Sequence, residues 1–261
     1  MGAGPAGLMA AELAAKRGFK VTVFEKANEI GGQLILAAAP PHKEKIGWCI
    51  EDLKHACDKA GVEFRLGKEA TVENITALNP HAVIIATGAN AVKPRSIKGT
   101  ERENAFTSTD ILSGAVSLTG KKVAVIGSGM TGLETAEMLV AQGNSVDIVE
   151  MADTVAPGTW MQHVDDALPR LKEAGCSIHT SCALAEIRED GILVKPSARD
   201  RGMFVLKCDA AVLALGSKSE NSLYRPLKAK MPNVFLVGDA EKVGRIADAT
   251  RAAFNAVMSI K

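Results

Sequence analysis

The sequence repeats itself at an offset of 125 residues, and no other feature restricts its fold as strongly. The opening "MGAGPAGLMAAELAAKRGFKVTVFE" falls on "IGSGMTGLETAEMLVAQGNSVDIVE", which begins at Ile126. Gly2, Gly4 and Gly7 align with Gly127, Gly129 and Gly132, and Glu25 aligns with Glu150. Leu8, Ala11, Glu12, Gly18 and Val21 recur as Leu133, Ala136, Glu137, Gly143 and Val146. A single G-x-G-x-x-G triplet is a weak signal. Two of them, each followed at equal spacing by a helix, a glycine stop, a β-branched strand and a terminal acid, favour a pair of dinucleotide cradles over ordinary strand–helix turns.

Both copies carry the same physics. The first glycine permits a tight turn, the second lets a pyrophosphate approach the backbone, and the third lets helix pack on strand. Free N–H groups at the helix start then face the phosphates. Pro5 suits the first turn, where its missing donor costs nothing. Ala6 follows it, and Met130 and Thr131 hold the matching positions in the second copy. Glu25 and Glu150 close the next strands, where a carboxylate accepts hydrogen bonds from ribose hydroxyls.

The second copy is preceded by an apolar strand, "KKVAVI", whereas only Met1 precedes Gly2. The expected fold class is α/β, with two Rossmann-like three-layer domains, one nested in the other, and the first β-strand of the first domain missing from the chain. That strand is central in a doubly wound sheet, so its loss would leave two neighbouring strands with unpaired edges.

The apolar spacing is helical from Pro5 to Arg17, "KVTVF" reads as a strand and "EIGGQL" as a glycine-rich turn. Residues 43–60 read as a helix with Trp48, Leu53 and Ala56 turned inward, and Trp48 and Met9 are expected in the core. "VEFRL" and "HAVIIATG" are strands, and the polar "NAVKPRSIKGTERENA" reads as a crossover between domains. After the second fingerprint, a helix near 160–174 is expected to bend or break at Pro169. "CSIHT", "ALAEIRE", "GILVK" and "MFVLK" suggest a small antiparallel meander. "AAVLALG", closed by Gly216, resembles "AVIIATG", closed by Gly88, and extends the repeat. "NVFLVGDA" is a last strand and "IADATRAAFNAVMSI" a closing amphipathic helix. This order implies a discontinuous first domain, 1–97 plus 223–261, with a second at 104–221 inserted into it.

With 261 residues, 47% of them hydrophobic and 23% charged, the chain has material for two packed cores. Its net charge is +1 with Lys and Arg scattered, so no basic face points to nucleic acid. No apolar run reaches the ~18 residues of a membrane span, and no export signal opens the chain. Five cysteines with no C-x-x-C pair read as free thiols of a cytoplasmic protein. Cys176, His179 and Cys182 sit at three-residue spacing, but a strand would turn the histidine away from both cysteines, so no metal site is expected. "NIT" at Asn74 is a glycosylation sequon that a cytosolic chain leaves unused.

With both fingerprints, "ATG" and "VGDA" in this order, the whole chain resembles the flavoproteins that carry two dinucleotide-binding domains. "EKANEIGGQL", "AAAPPHKEKI" and "VGDAEKVGRIADATRAAFNA" make it most similar to the C-terminal FAD/NAD(P)-binding portion of the 2,4-dienoyl-CoA reductase/2-enoate reductase group, relatives of old yellow enzyme. The resemblance implies FAD in the first domain and a nicotinamide cofactor in the second. By it, Glu25 holds the adenosine ribose and Lys26 lies beside the adenine. Gly32 and Gln33 line the pyrophosphate and flavin side, and Thr87 and Gly88 close the pocket. Asp239, after Gly238, binds the ribitol chain. Ala247 and Ala249 place backbone N–H groups near the flavin pyrimidine, where a helix N-terminus stabilises a reduced flavin. The resemblance further implies an upstream barrel with FMN and a [4Fe–4S] cluster, neither of which this chain contains, so the chain is expected to be a piece of something longer.

The expected chemistry is hydride transfer from nicotinamide C4 to flavin N5, both cofactor atoms, so no side chain is named as catalytic. NADH is expected over NADPH, because Glu150 repels a ribose 2′-phosphate and "MADTVA" after it supplies no Arg or Lys. Two other readings remain open: a module that holds only an adenine nucleotide without redox chemistry, and a fragment whose incomplete sheet retains no cofactor. "GDA" and the "IADAT" helix start favour flavin, since they serve its ribitol and ring.

Overall fold

Small residues shape the first helix of the computed structural model, which describes residues 1–198 and 202–261. In α1 (Pro5–Lys16) the buried face is Ala6, Gly7, Leu8, Ala10, Ala11 and Ala14, a surface with little bulk that admits close neighbours. Gly18, at φ 91°, ends it, and β1 (Thr22–Phe24), α2 (Gln33–Ala38) and α3 (Lys45–Lys59) follow. α3 buries Leu53 and Cys57, with Ile46 and Ile50 packed on the same core. Trp48 is not inward: it is 59% exposed, with Lys45 Nζ 5.9 Å from its ring centroid. At 3.6 residues per turn, position 48 lies round the far side of the helix from 46, 50, 53 and 57. Met9 does pack partly buried against the core.

β2 (Glu63–Arg65), α4 (Val72–Ala77), β3 (Val83–Ile85) and β4 (Ala89–Ala91) complete the first stretch. Thr71 and Asn74 form a reciprocal capping box at the start of α4. Next come β5 (Ala105–Thr107), α5 (Ser108–Leu112), β6 (Lys122–Ile126), α6 (Met130–Ala141), β7 (Ser145–Val149) and α7 (Met161–Glu173). α7 runs through Pro169 instead of breaking there. Arg170 holds this turn, donating to Asp166 through both terminal nitrogens at 2.8 and 2.9 Å and to Glu137 through Nε at 2.7 Å. The remainder is β8 (Ser177–His179), β9 (Cys182–Arg188), β10 (Gly191–Pro196), β11 (Phe204–Leu206), β12 (Ala210–Leu213), β13 (Ser217–Ser219), α8 (Tyr224–Lys228), β14 (Val234–Leu236), a 3-10 turn at Gly238–Ala240 and α9 (Ile246–Ser259).

Two compact units emerge: Met1–Ala38, Lys43–Asn90 and Ser217–Lys261 form one, and Ala39–His42 with Ala91–Gly216 the other. The chain thus crosses between units earlier on both passes than the expected boundaries after 97 and before 223. The second unit has a five-stranded sheet in the order β5-β12-β6-β7-β8, parallel throughout. Its core strands are apolar on both faces: β12 is wholly buried, as are Val123–Ile126 of β6. The segment expected to open the meander, "CSIHT", instead supplies β8 to this sheet, because α7 returns the chain as a parallel crossover. The antiparallel meander is three-stranded, β9-β10-β11.

In place of the continuous parallel sheet of the second unit, the first unit has two separate parallel pairs, β1-β2 and β3-β14. β1 corresponds to β7 and β3 to β12, and the place of β6 between them contains only Met1 and Gly2. Met1 N donates to Ile84 O at 2.8 Å.

Candidate dinucleotide-binding sites

The glycines of each fingerprint divide into two kinds. A Cβ on Gly2, at φ 92°, would stand 2.3 Å from Ala86 O, and one on Gly7 would stand 1.9 Å from Gly2 O. In the second unit the same contacts recur, Gly127 to Ala214 O at 2.5 Å and Gly132 to Gly127 O at 2.0 Å. The fold itself demands these four. The middle glycines are different. Gly4 and Gly129 are the N-caps of α1 and α6 at φ −80° and −56°, torsions open to any residue. The nearest atom to a Cβ on Gly4 is 3.9 Å away, and nothing lies within 4 Å of one on Gly129. Neither packing nor torsion requires glycine there. What the two positions share is open space before a helix N-terminus without a side-chain cap, the place a pyrophosphate takes. Pro5 and Ala6, and Met130 and Thr131, form the first turns behind that space. The residues present therefore fit a dinucleotide in each unit.

Glu25 and Glu150 tie these loops down. Glu25 Oε2 accepts from Ala3 N at 2.7 Å and Oε1 from Ala27 N at 2.8 Å. Glu150 Oε2 accepts from Ser128 N at 2.8 Å and Ser128 Oγ at 2.7 Å, and Oε1 accepts from Ala152 N at 2.8 Å. Burial works to raise the Glu150 carboxyl, but the N–H groups of Ala152 and Ser128 and the Ser128 hydroxyl outweigh it and hold the pKa below the ordinary value. It stays ionised. A carboxylate has about four acceptor positions. Glu25 keeps one open on each oxygen, matching a vicinal ribose diol, whereas the Glu150 carboxylate is more fully used, with the Met151 N–H acting on it beside those of Ser128 and Ala152. Ser128 is a site residue that sequence reasoning missed: its Oγ also accepts from Ala156 N at 2.8 Å, linking Glu150 to the following loop. The available signal was its contrast with Ala3 in the first copy.

Further residues of the first unit converge on the Gly4 side. Gly31 N donates to Ala3 O at 2.8 Å, and Gly32, at φ 55°, comes close enough that a Cβ would sit 3.0 Å from Gly4 Cα. Gln33 Nε2 donates to Ala89 O at 3.2 Å and to Asp239 Oδ2 at 3.5 Å, which joins the Gly88 turn to the loop after β14. Thr87 Oγ1 donates to Glu220 O at 2.5 Å and so fixes this turn through the backbone. Gly238 packs between α1 and α9, where a Cβ would meet Ala6 Cβ at 2.8 Å. Burial pushes the Asp239 carboxyl up, although Gly244 N donates to its Oδ1 at 3.0 Å. Lys26 is exposed, and its charge adds to the Ser222 hydrogen bonds that lower the Glu220 pKa. The two expected α9 amides differ. Ala249 is buried and its N–H donates to Arg245 O at 3.0 Å, so that donor is spent. Ala247, exposed at the second helical position, has no helical acceptor for its N–H. In the second unit Gly216, at φ 84°, ends the β12 turn with open space beside it. Among the described residues, no group of three or more His, Cys, Asp or Glu is placed to hold a metal ion.

The profile of the family described as pyridine nucleotide-disulphide oxidoreductase matches residues 1–256. The chain belongs to this family. An NADH oxidase from Thermoanaerobacter brockii is 40% identical over 266 residues, spanning 100% of the chain and 40% of the relative. A cinnamate reductase from Clostridium sporogenes is 31% identical over 263 residues, spanning 100% and 38%. Among solved structures, a 2-naphthoyl-CoA reductase in complex with 2-naphthoyl-CoA superposes with a TM-score of 0.91 at 29% identity, covering 100% of the chain and 39% of that protein. The chain spans about 40% of the length of the curated relatives it matches. It is an oxidoreductase domain of the flavin- and pyridine-nucleotide-binding kind, similar to the C-terminal portion of enoate and dienoyl-CoA reductase-like proteins. Among the described residues, no helix is long and apolar enough to cross a membrane.

Proposed function

We propose that the first unit holds FAD, that the second holds NADH, and that the chain serves as the electron-input module of a larger reductase. The observation that carries this is the open space before Gly4 and Gly129, where glycine is required by nothing within the protein. The nicotinamide supplies hydride and the flavin accepts it, so the protein's task is binding and orientation. Gly4, Pro5 and Ala6 present the helix start to the FAD pyrophosphate, and Glu25 takes the adenosine ribose. Gln33 and Asp239 address the flavin side, and the free N–H of Ala247 stands ready for negative charge on the ring. Gly129 and Thr131 do the same for the second pyrophosphate, with Glu150 at its ribose.

Dithiol chemistry is not part of this proposal. The sequence has no C-x-x-C, and burial pushes the thiols of Cys57, Cys176 and Cys208 up to about 11. A thiolate nucleophile needs the opposite shift. An upstream barrel with FMN and an iron–sulfur cluster, as the resemblance implies, would carry the electrons onward, and the relatives named for cinnamate and 2-naphthoyl-CoA suggest an unsaturated acyl acceptor. The free thiols support a reducing, cytoplasmic setting for this activity.

The test is direct. Protein reconstituted with FAD should show the visible flavin band, and anaerobic NADH should bleach it. Binding of adenine nucleotides without any flavin spectrum would replace this proposal with a non-redox module.

A further inference from the structure

The two copies of the repeat share a frame of hydrogen bonds and part at one tether. Glu25 N donates to Arg65 O and Lys68 N to Glu25 O, as Glu150 N donates to His179 O and Cys182 N to Glu150 O. Gly67 N donates to Ala27 O at 2.8 Å, as Ser181 N does to Ala152 O at 2.7 Å. The next contact differs. In the first copy Gly31 N donates to the main-chain O of Ala3 at 2.8 Å. Ala156 stands at the same place under the 125-residue offset, and its N–H goes to a side chain instead, Ser128 Oγ at 2.8 Å.

This difference decides where each loop stands. Gly31 and Gly32, at φ 125° and 55°, lay the first loop against the phosphate turn, so that a Cβ on Gly4 would find Gly32 Cα at 3.9 Å and Gly31 O at 4.0 Å. Ala156 and Pro157 hold those two places in the second copy. A proline, fixed near φ −65°, cannot copy the torsion of Gly32, and nothing lies within 4 Å of a Cβ on Gly129. Ala156 is buried at φ 51° and precedes that proline. An alanine keeps such a torsion only where its surroundings hold it there. The Ser128 hydroxyl is one such hold, and it is itself anchored by donating to Glu150 Oε2 at 2.7 Å.

We propose that Ser128 is a positioning residue for the nicotinamide cofactor: its hydroxyl holds the 151–158 loop off Gly129, so that the second cradle admits and releases a nucleotide while the first retains its own. This rests on the reading that the second unit takes NADH, and it deepens that reading. A nicotinamide that has given up its hydride must be replaced before the next turnover, whereas the flavin stays through many. The exchanging cradle therefore needs a loop that is ordered yet stands clear of the pyrophosphate. Without the hydroxyl, the loop has no second anchor to take. Ala156 and Pro157 are barred from the torsions by which Gly31 and Gly32 reach the main chain, and the loop detaches instead of closing in.

The test compares Ser128→Ala with the triple variant Ser128→Ala/Ala156→Gly/Pro157→Gly, which copies the first loop. In the cofactor-free single variant the Ala156 amide should exchange at least about tenfold faster than in wild type. Its Kd for NAD⁺ by titration calorimetry, and the KM for NADH of the FAD-loaded chain with ferricyanide as acceptor, should both rise about tenfold, with kcat unchanged. The triple variant should regain the lost affinity and release NAD⁺ at least about tenfold more slowly than wild type, a difference of the order of one hydrogen bond. Glu150 still lacks its hydroxyl donor in that variant, so the recovery reports the loop and not the carboxylate. Should the alanine variant fail to fold, Ser128→Cys takes its place in both proteins, with a side chain of similar size and a weaker acceptor. Wild-type affinity in the single variant, or a triple variant as weak as the single, would overturn the role of Ser128. A wild-type chain that binds no NAD⁺ would overturn the nicotinamide reading and this role with it.

Discussion

Gly7→Ala should unfold the first unit, while Gly4→Ala should leave it folded and strip it of flavin. The added methyl on Gly7 would lie 1.9 Å from Gly2 O and 3.0 Å from Gly2 C, both backbone atoms. Gly2 cannot retreat, because its own approach to Ala86 O and its φ of 92° hold it in place. Overlap that no side chain can relieve costs about 3–5 kcal/mol, a large share of the 5–15 kcal/mol that typically holds a domain together. On Gly4 the same methyl meets no atom closer than 3.9 Å. Its cost is limited to the poorer capping of alanine, about 1 kcal/mol at most. The methyl instead occupies the approach of the pyrophosphate, and FAD affinity should fall about 100-fold, close to 3 kcal/mol. Melts of the cofactor-free proteins and flavin titrations separate the two effects. Gly132→Ala and Gly129→Ala form the same pair in the second unit, with the KM for NADH as the readout. Unchanged flavin affinity in Gly4→Ala would show that the space before α1 is not the phosphate site.

The glycines were legible in the sequence because their roles are short-range. A tight turn and a close helix–strand approach involve residues a few positions apart, and the repeat displayed each constraint twice. The atoms that enforce the first glycine of each loop were not legible, since they belong to Ala86 and Ala214, distant in sequence from the loops they pack against. β8 was misassigned for a similar reason. Three residues of alternating character fit a meander or a sheet edge equally well, and the return path of α7 decides between them. Trp48 was placed inward on its bulk, whereas the phase set by Ile46, Ile50, Leu53 and Cys57 sends it outward. β4 and β13 pair with each other through backbone alone, and the residues "ANA" and "SKS" carry no apolar signature. Ala249 lost its expected amide role because Arg245, extended at φ −103°, accepts that N–H as the helix N-cap. Backbone donors at a helix start are distinguishable only once the cap position is known.

The chain should use NADH at least about 100-fold better than NADPH, measured as the ratio of kcat/KM values. Glu150 closes β7 beside the second cradle with its carboxylate ionised, held so by Ser128 and Ala152 against the cost of burial. The end of this strand is where the ribose of a cofactor in the second cradle is expected. A 2′-phosphate there would meet a fixed negative charge. Two like charges some 4–6 Å apart at an effective dielectric of about 20 repel by roughly 3–4 kcal/mol, which is at least the hundredfold expected. The segment after Glu150 offers no relief, because Met151 is 71% exposed and uncharged, and Asp153 adds charge of the wrong sign. Glu150→Gln removes the repulsion but turns an amide N–H₂ toward one of the loop donors, at a cost of about 1–3 kcal/mol. The variant should therefore lose some activity with NADH and gain with NADPH, bringing the ratio to about 10 or below. Wild-type protein that uses both cofactors equally would show that Glu150 serves only to brace Ser128 and Ala152, and that the ribose lies elsewhere.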